Sequence, residues 1–187
     1  MTDFARLMSD YFVKYLAGQK GSGSNTMKTY RDTFVQLLEF MDEKKHIRAD
    51  CIEVDSFSYD IINEFLEYLE KEKRVSISTR NNRLAAIRSF FKYTGYHEPK
   101  YLNISTSIRE ISKKKTEGRQ MNYLSVNAME HFLNSFDKTD HKELRCFCIV
   151  LLLYESGARV TELCNVRRYD LHLEKPYTMI CLLYTSP

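Results

Sequence analysis

Apolar side chains recur three and four residues apart along most of this 187-residue chain, a period that fits helices and not strands. Phe4, Leu7, Met8, Tyr11 and Tyr15 trace one such face and predict a first helix ending near Gly18. Residues 18–24, which contain GSGS, read as a flexible connector. Tyr30, Phe34, Leu37, Leu38 and Met41 predict a second helix, with Ser24 or Asn25 as its cap. A third is expected over about residues 58–73, with Ile61, Ile62, Phe65 and Leu69 inward and Asp60, Glu64 and Glu67 outward. A fourth begins near Ser78 and stops at Gly95, its apolar face formed by Leu84, Ile87, Phe90 and Phe91. Four short helices predict a compact bundle over residues 1–100, and with only 3 prolines in the chain the fold class is mainly α.

From Tyr96 to Asn122 the period lapses, and SKKKTEGRQ at residues 112–120 offers no apolar face, so residues 101–123 are predicted to be a basic linker. A second module is expected over residues 124–187. It opens on Ser125 as a cap, followed by Met129, Phe132, Leu133 and Phe136 and then by the nearly all-apolar CFCIVLLLY, which belongs in the centre of a larger core. That run covers residues 146–154, far short of the ~20 needed to cross a bilayer, and no charged-then-apolar leader precedes it. The 5 cysteines form no C-x-x-C pair and read as reduced, buried thiols, so the expected location is the cytoplasm.

Charge narrows the partner. Between Lys71 and Arg119 there are 13 Lys and Arg against 4 Asp and Glu, while the chain as a whole carries only +3. A basic segment in an otherwise acidic chain suits a polyanion, and nucleic acid is the commonest one. On the fourth helix Asn81, Arg88 and Lys92 share a stripe, and Arg80 and Arg83 are expected to project from its first turns. Lys113, Lys114, Lys115 and Arg119 add linker charge; Lys28 and Arg31, beside Thr26, make a second, smaller patch. The bland alternative is a solvated basic face.

The stretch LLLYESGARVTELCNVRRYDL, residues 151–171, reads as a buried helix, a turn at Ser156 and Gly157, and a new helix opening near Arg159. A cation in a first helical turn opposes the macrodipole, and an anion there would resolve the conflict. Arg159 and the exposed N–H groups would then hold a phosphate, with Glu162 reaching back to orient the guanidinium. The alternative is an ordinary surface Arg–Glu pair.

GARVTEL after a long apolar helix is similar to the first catalytic box of the tyrosine recombinases, the phage-integrase family, and YDLHL resembles that family's step into a small β-sheet. TRNNRLAAIRSFFKYTG, residues 79–95, looks like the last helix of the family's core-binding domain. The resemblance covers about residues 4–173. It implies a SAM-like four-helix bundle that grips duplex DNA, then the opening of a mixed α/β catalytic domain. It gives Arg159 contact with the scissile phosphate and Glu162 a supporting role. It also implies strand exchange through a 3′-phosphotyrosine link, self-association on DNA by the full-length protein, and no metal, nucleotide, small-molecule or membrane partner.

The family also needs a hairpin Lys, an H-x-x-R box, a further His or Trp, and a Tyr nucleophile. No H-x-x-R occurs, and Tyr169, Tyr177 and Tyr184 follow Arg159 too closely to be the nucleophile. The final CLLYTSP looks like read-through sequence, so the chain is expected to be a fragment that binds DNA without cleaving it. Two rivals stay open: a non-enzymatic helical DNA-binding regulator, and a protein-interaction module whose charge is only solubilising.

Overall fold

The computed structural model describes residues 2–19, 21, 23–116, 118, 122–167, 171–172 and 179–180. It separates into two compact units, Met1–Gly118 and Arg119–Pro187.

The first unit is helical. α1 (Asp3–Asp10) starts where the Thr2 hydroxyl accepts the Ala5 N–H at 3.2 Å, and it runs on as a π-helix over Tyr11–Gln19. α2 (Ser24–Lys45) has Gly23 at its N-cap and no side-chain cap bond, so neither Ser24 nor Asn25 caps it; Ser24 is its first helical residue. It ends on His46 in the left-handed region at φ 57°, with Lys44 and Lys45 in the last turn, where cations suit the dipole. Two short 3₁₀ turns, Ala49–Cys51 and Val54–Ser56, lead to α3 (Tyr59–Lys71), capped by Ser58. α4 (Ile77–His97) is capped by Ser76, whose hydroxyl accepts the Thr79 N–H at 3.2 Å.

Two expectations are corrected at the end of α4. Gly95 does not stop the helix, which runs to His97. The chain then turns through Pro99–Tyr101 and forms a fifth helix, α5 (Leu102–Glu110), inside the segment predicted to be linker. Ile104, Ile108 and Ile111 fall at i, i+4 and i+7 and face the core, but the intervening Asn, Ser and Thr mask the period. The glycine is a packing residue: a Cβ at position 95 would lie 2.6 Å from the Cβ of Ser105, so only a bare backbone lets α5 approach α4 this closely.

The core of this unit is aromatic. Phe4, Tyr11, Phe34, Phe57, Phe90 and Phe91 are all buried, and the rings of Phe4, Tyr11 and Phe34 each lie within 5.5 Å of that of Phe90 in edge-on or T-shaped contact. The Tyr11 hydroxyl donates to Ser89 Oγ at 2.8 Å, and burial pushes its phenol well above the ordinary range.

In the second unit, α6 (Val126–Asn134) is capped by Ser125, as predicted. α7 (His141–Ser156) carries the apolar run and ends on Gly157 at φ 62°. α8 (Val160–Cys164) follows, and β1 (Leu171–His172) pairs antiparallel with β2 (Met179–Ile180). The apolar run expected in the centre of a core is not buried: no residue of α6, α7 or α8 is, and Cys146, Cys148 and Cys164, like Cys51 in the first unit, are exposed free thiols and not the buried ones expected. No helix among the described residues is long and apolar enough to cross a membrane.

Candidate nucleic-acid interface

The first half of α4 is where the basic segments meet. On one side lies the start of α2: an open cleft of about 290 Å³ is lined by Asn25, Thr26, Thr29 and Tyr30 from α2 and by Asn82 and Ala85 from α4. Arg83 fastens the two helices, donating from Nη1 to Thr33 Oγ1 at 3.1 Å, while its buried Nε has no partner among the described residues. Burial pulls the Arg83 pKa below its ordinary value, opposed by the carboxylate of Asp32. Lys28 and Arg31, on the same turns of α2, are exposed.

On the other side of α4 lies the chain that follows α5. Asn81 holds the backbone of Lys114 at two points, donating from Nδ2 to its carbonyl at 2.8 Å and accepting its N–H at 3.1 Å. Arg80, only 5% exposed, donates from Nη1 to the Ser112 carbonyl at 3.1 Å. Its Nε is 3.2 Å from Glu70 Oε1, a charge contact without hydrogen-bond alignment. Lys114 Nζ takes the other Glu70 oxygen at 2.7 Å.

Among the residues singled out from sequence, Arg80 therefore does not project. It is buried and committed to Glu70 on α3 and to the Ser112 carbonyl in the chain after α5. Arg83 is half buried between helices. Asn81 spends its amide on Lys114, and Lys114 spends its charge on Glu70. Lys92, Lys113, Lys115 and Lys28 are exposed and Arg88 is half buried, none with an ion-pair partner among the described residues; Arg31 lies 3.9 Å from Asp32 Oδ1. Arg119 lies outside the described residues, as do Tyr169, Tyr177 and Tyr184. Of the cleft residues, Thr29 and Asn82 escaped the sequence reading, which took Asn25 only as a cap and Tyr30 only as part of an apolar helix face. Asn82 follows Asn81 directly, but nothing local says that α2 packs beside it.

In the second unit, Gly157 lets α7 end and the chain reverse, with the Gly157 N–H on the Leu153 carbonyl and the Ala158 N–H on Ser156 Oγ. Arg159 is the N-cap of α8, and Glu162 sits three residues on. The Glu162 carboxylate accepts the Arg159 backbone N–H at 2.8 Å through Oε2 and Arg159 Nη1 at 2.6 Å through Oε1. The acid is 12% exposed and the guanidinium side chain 82%, so the pair presents a positioned cation at the surface. No cluster of three or more His, Cys, Asp or Glu among the described residues could hold a metal ion.

Residues 10–99 match the family model described as phage integrase, N-terminal SAM-like domain. The chain is 28% identical over 167 residues to y4rC of Sinorhizobium fredii, named as an integrase/recombinase, covering 89% of this chain and 50% of that protein. It is 26% identical over 166 residues to the tyrosine recombinase XerC of Staphylococcus aureus, covering 88% and 52%. A crystal structure of XerA recombinase aligns over 92% of this chain and 53% of its own, with a TM-score of 0.41 and 24% identity. The chain spans about half the length of these relatives.

Proposed function

We propose that the chain is a member of the tyrosine recombinase, or phage-integrase, family and that its first unit grips duplex DNA for site-specific strand exchange by the whole protein; the match of residues 10–99 to the integrase SAM-like domain and the similarity to named recombinases support this. The observation that carries this reading is the meeting of three sequence-distant basic segments around the first half of α4. The start of α2, with Lys28 and Arg31, lies on one side; Lys113 and Lys115 lie on the other; Arg88 and Lys92 continue along the helix itself. Lys28, Arg88, Lys92, Lys113 and Lys115 have no acidic partner among the described residues, and such cations gain most from a phosphate backbone, since each phosphate neutralised releases counterions. The polar cleft lined by Asn25, Thr29 and Asn82 offers amides and hydroxyls that could meet base edges or phosphates.

Arg159 takes the role of a scissile-phosphate contact, held ready by Glu162 so that charge developing on the phosphate oxygens meets a fixed donor. In the reaction that the family implies, a Tyr hydroxyl attacks the phosphodiester, a 3′-phosphotyrosine bond forms and a DNA 5′-hydroxyl leaves. A second 5′-hydroxyl then reverses the step. With no H-x-x-R sequence in its 187 residues, this chain is expected to bind DNA without cleaving it.

The test is retention of a short duplex as salt is raised. Replacing Lys28, Arg88 and Lys92 together by Ala should lower the slope of log affinity against log salt by about one for each phosphate that is no longer neutralised. A variant with the wild-type slope would place the interface elsewhere.

A further inference from the structure

We propose that Glu70, Arg80 and Asn81 form a clasp that seizes the chain at Ser112–Lys114 and thereby sets the point at which it leaves the first unit; all three are positioning residues and not DNA contacts. The bonds from Arg80 and Asn81 to this segment are directed at its backbone: Arg80 takes the Ser112 carbonyl, and Asn81 takes both the carbonyl and the N–H of Lys114. A side-chain amide that satisfies both backbone groups of one residue fixes that residue as a neighbouring strand would. Just before it, Ile111 is 1% exposed and keys the segment into the core. Just behind it, Glu70 holds Arg80 with one oxygen and Lys114 with the other, so a single carboxylate from α3 ties the gripping residue to the gripped one.

The charges follow from this arrangement. Lys114 is neutralised against Glu70, whereas Lys113 and Lys115, on either side of it, have no acidic partner among the described residues. The first unit therefore keeps hold of the chain as far as Lys114, well after the end of α4. A shorter tether confines whatever it carries to a smaller volume, which raises the effective concentration of the second unit on the DNA that the first unit holds. That consequence rests on the recombinase reading; the clasp itself rests only on the bonds.

The experiment uses the full 187-residue chain, with limited proteolysis by subtilisin, a protease of broad specificity, and cut sites mapped by mass spectrometry. Wild type should be cut first beyond Lys115. Asn81→Ala should open residues 112–115 to cutting about tenfold faster, the scale of losing hydrogen bonds worth roughly 1.4 kcal/mol, while the thermal melt of the bundle stays in place. Lys114→Pro, which deletes the N–H that Asn81 accepts and leaves α4 untouched, should open the same residues. First cuts at residues 112–114 in wild type, or unchanged cut sites in both variants, would overturn the clasp. So would Asn81→Ala weakening DNA retention as much as Arg88→Ala does while its cut sites stay wild type, since Asn81 would then be a DNA contact. DNA retention is measured on the same preparations: if no protein binds DNA while the cut sites shift as expected, the DNA reading fails and the clasp stands.

Discussion

Arg159 and Arg80 are both arginines beside a glutamate, and their environments give them opposite consequences. Arg159 is exposed and its Glu162 partner is nearly buried, so the guanidinium remains available to an anion. In the full-length protein, Arg159→Ala should lower covalent trapping of a suicide DNA substrate by ~10² to 10³ while leaving DNA affinity nearly unchanged. Arg159→Lys should also trap poorly, because an ammonium lacks the planar two-donor fork. Trapping by Arg159→Ala at the wild-type rate would remove the phosphate role. Arg80, by contrast, is buried against Glu70. Arg80→Ala should cost the first unit about 2 kcal/mol in urea unfolding, because Glu70 is left partly buried with one cation fewer. An unchanged midpoint would show that the pair contributes nothing to the fold. The Arg159–Glu162 pair was legible in the sequence because its geometry is local, three residues along one helix start. The burial of Arg80 was not, since its partners lie on other segments of the chain, at Glu70 and Ser112.

Between elements, the least legible feature was α5. Its Ile period is present, but Asn103, Ser105, Thr106 and Ser107 carry weak helix propensity, and the helix is held by packing on α4 rather than by its own sequence. Gly95 marks the contact. Gly95→Ala should destabilise the unit by about 1 to 3 kcal/mol, because the new methyl meets Ser105 at a distance that side-chain rotation does not relieve. Combined with Ser105→Gly, much of that stability should return, so a double-mutant cycle by thermal melting with no coupling would argue against the close approach. The four longer helix positions were readable because each carries an apolar face; their ends were not, and α4 outran its predicted stop because the glycine serves packing. The cleft between α2 and α4 could not be read at all, since no local pattern states which helices become neighbours.

Across the whole chain, the local basic excess predicts a polyanion interface, and folding sets Lys113 and Lys115 on one side of α4 and Lys28 and Arg31 on the other. The first unit also ties α1 to the turn that follows α4. The Asp3 carboxylate accepts bonds from Lys100 Nζ at 2.6 Å and the Tyr101 hydroxyl at 2.9 Å, and Arg6 bonds Glu98 at 2.7 Å. The hydrogen bonds from Lys100 and Tyr101 hold the Asp3 carboxyl below its ordinary pKa. A depressed pKa makes the contribution complete above the unfolded value and lost as pH falls through the folded one, so acid should release α1 first. Faster amide exchange in α1 than in α3 below about pH 4 would show this; uniform exchange would contradict it.

That junction also sets an order for synthesis. Phe4 is made well before its ring partners Phe57 and Phe90, and the Asp3 carboxylate waits for Lys100 and Tyr101. On the ribosome α1 must therefore stay exposed until the end of α4 and the turn after it have emerged, at least about five seconds later at ~5–20 residues per second. Nascent chains stalled before that point should offer residues 3–10 to a chaperone, and those stalled after it should not.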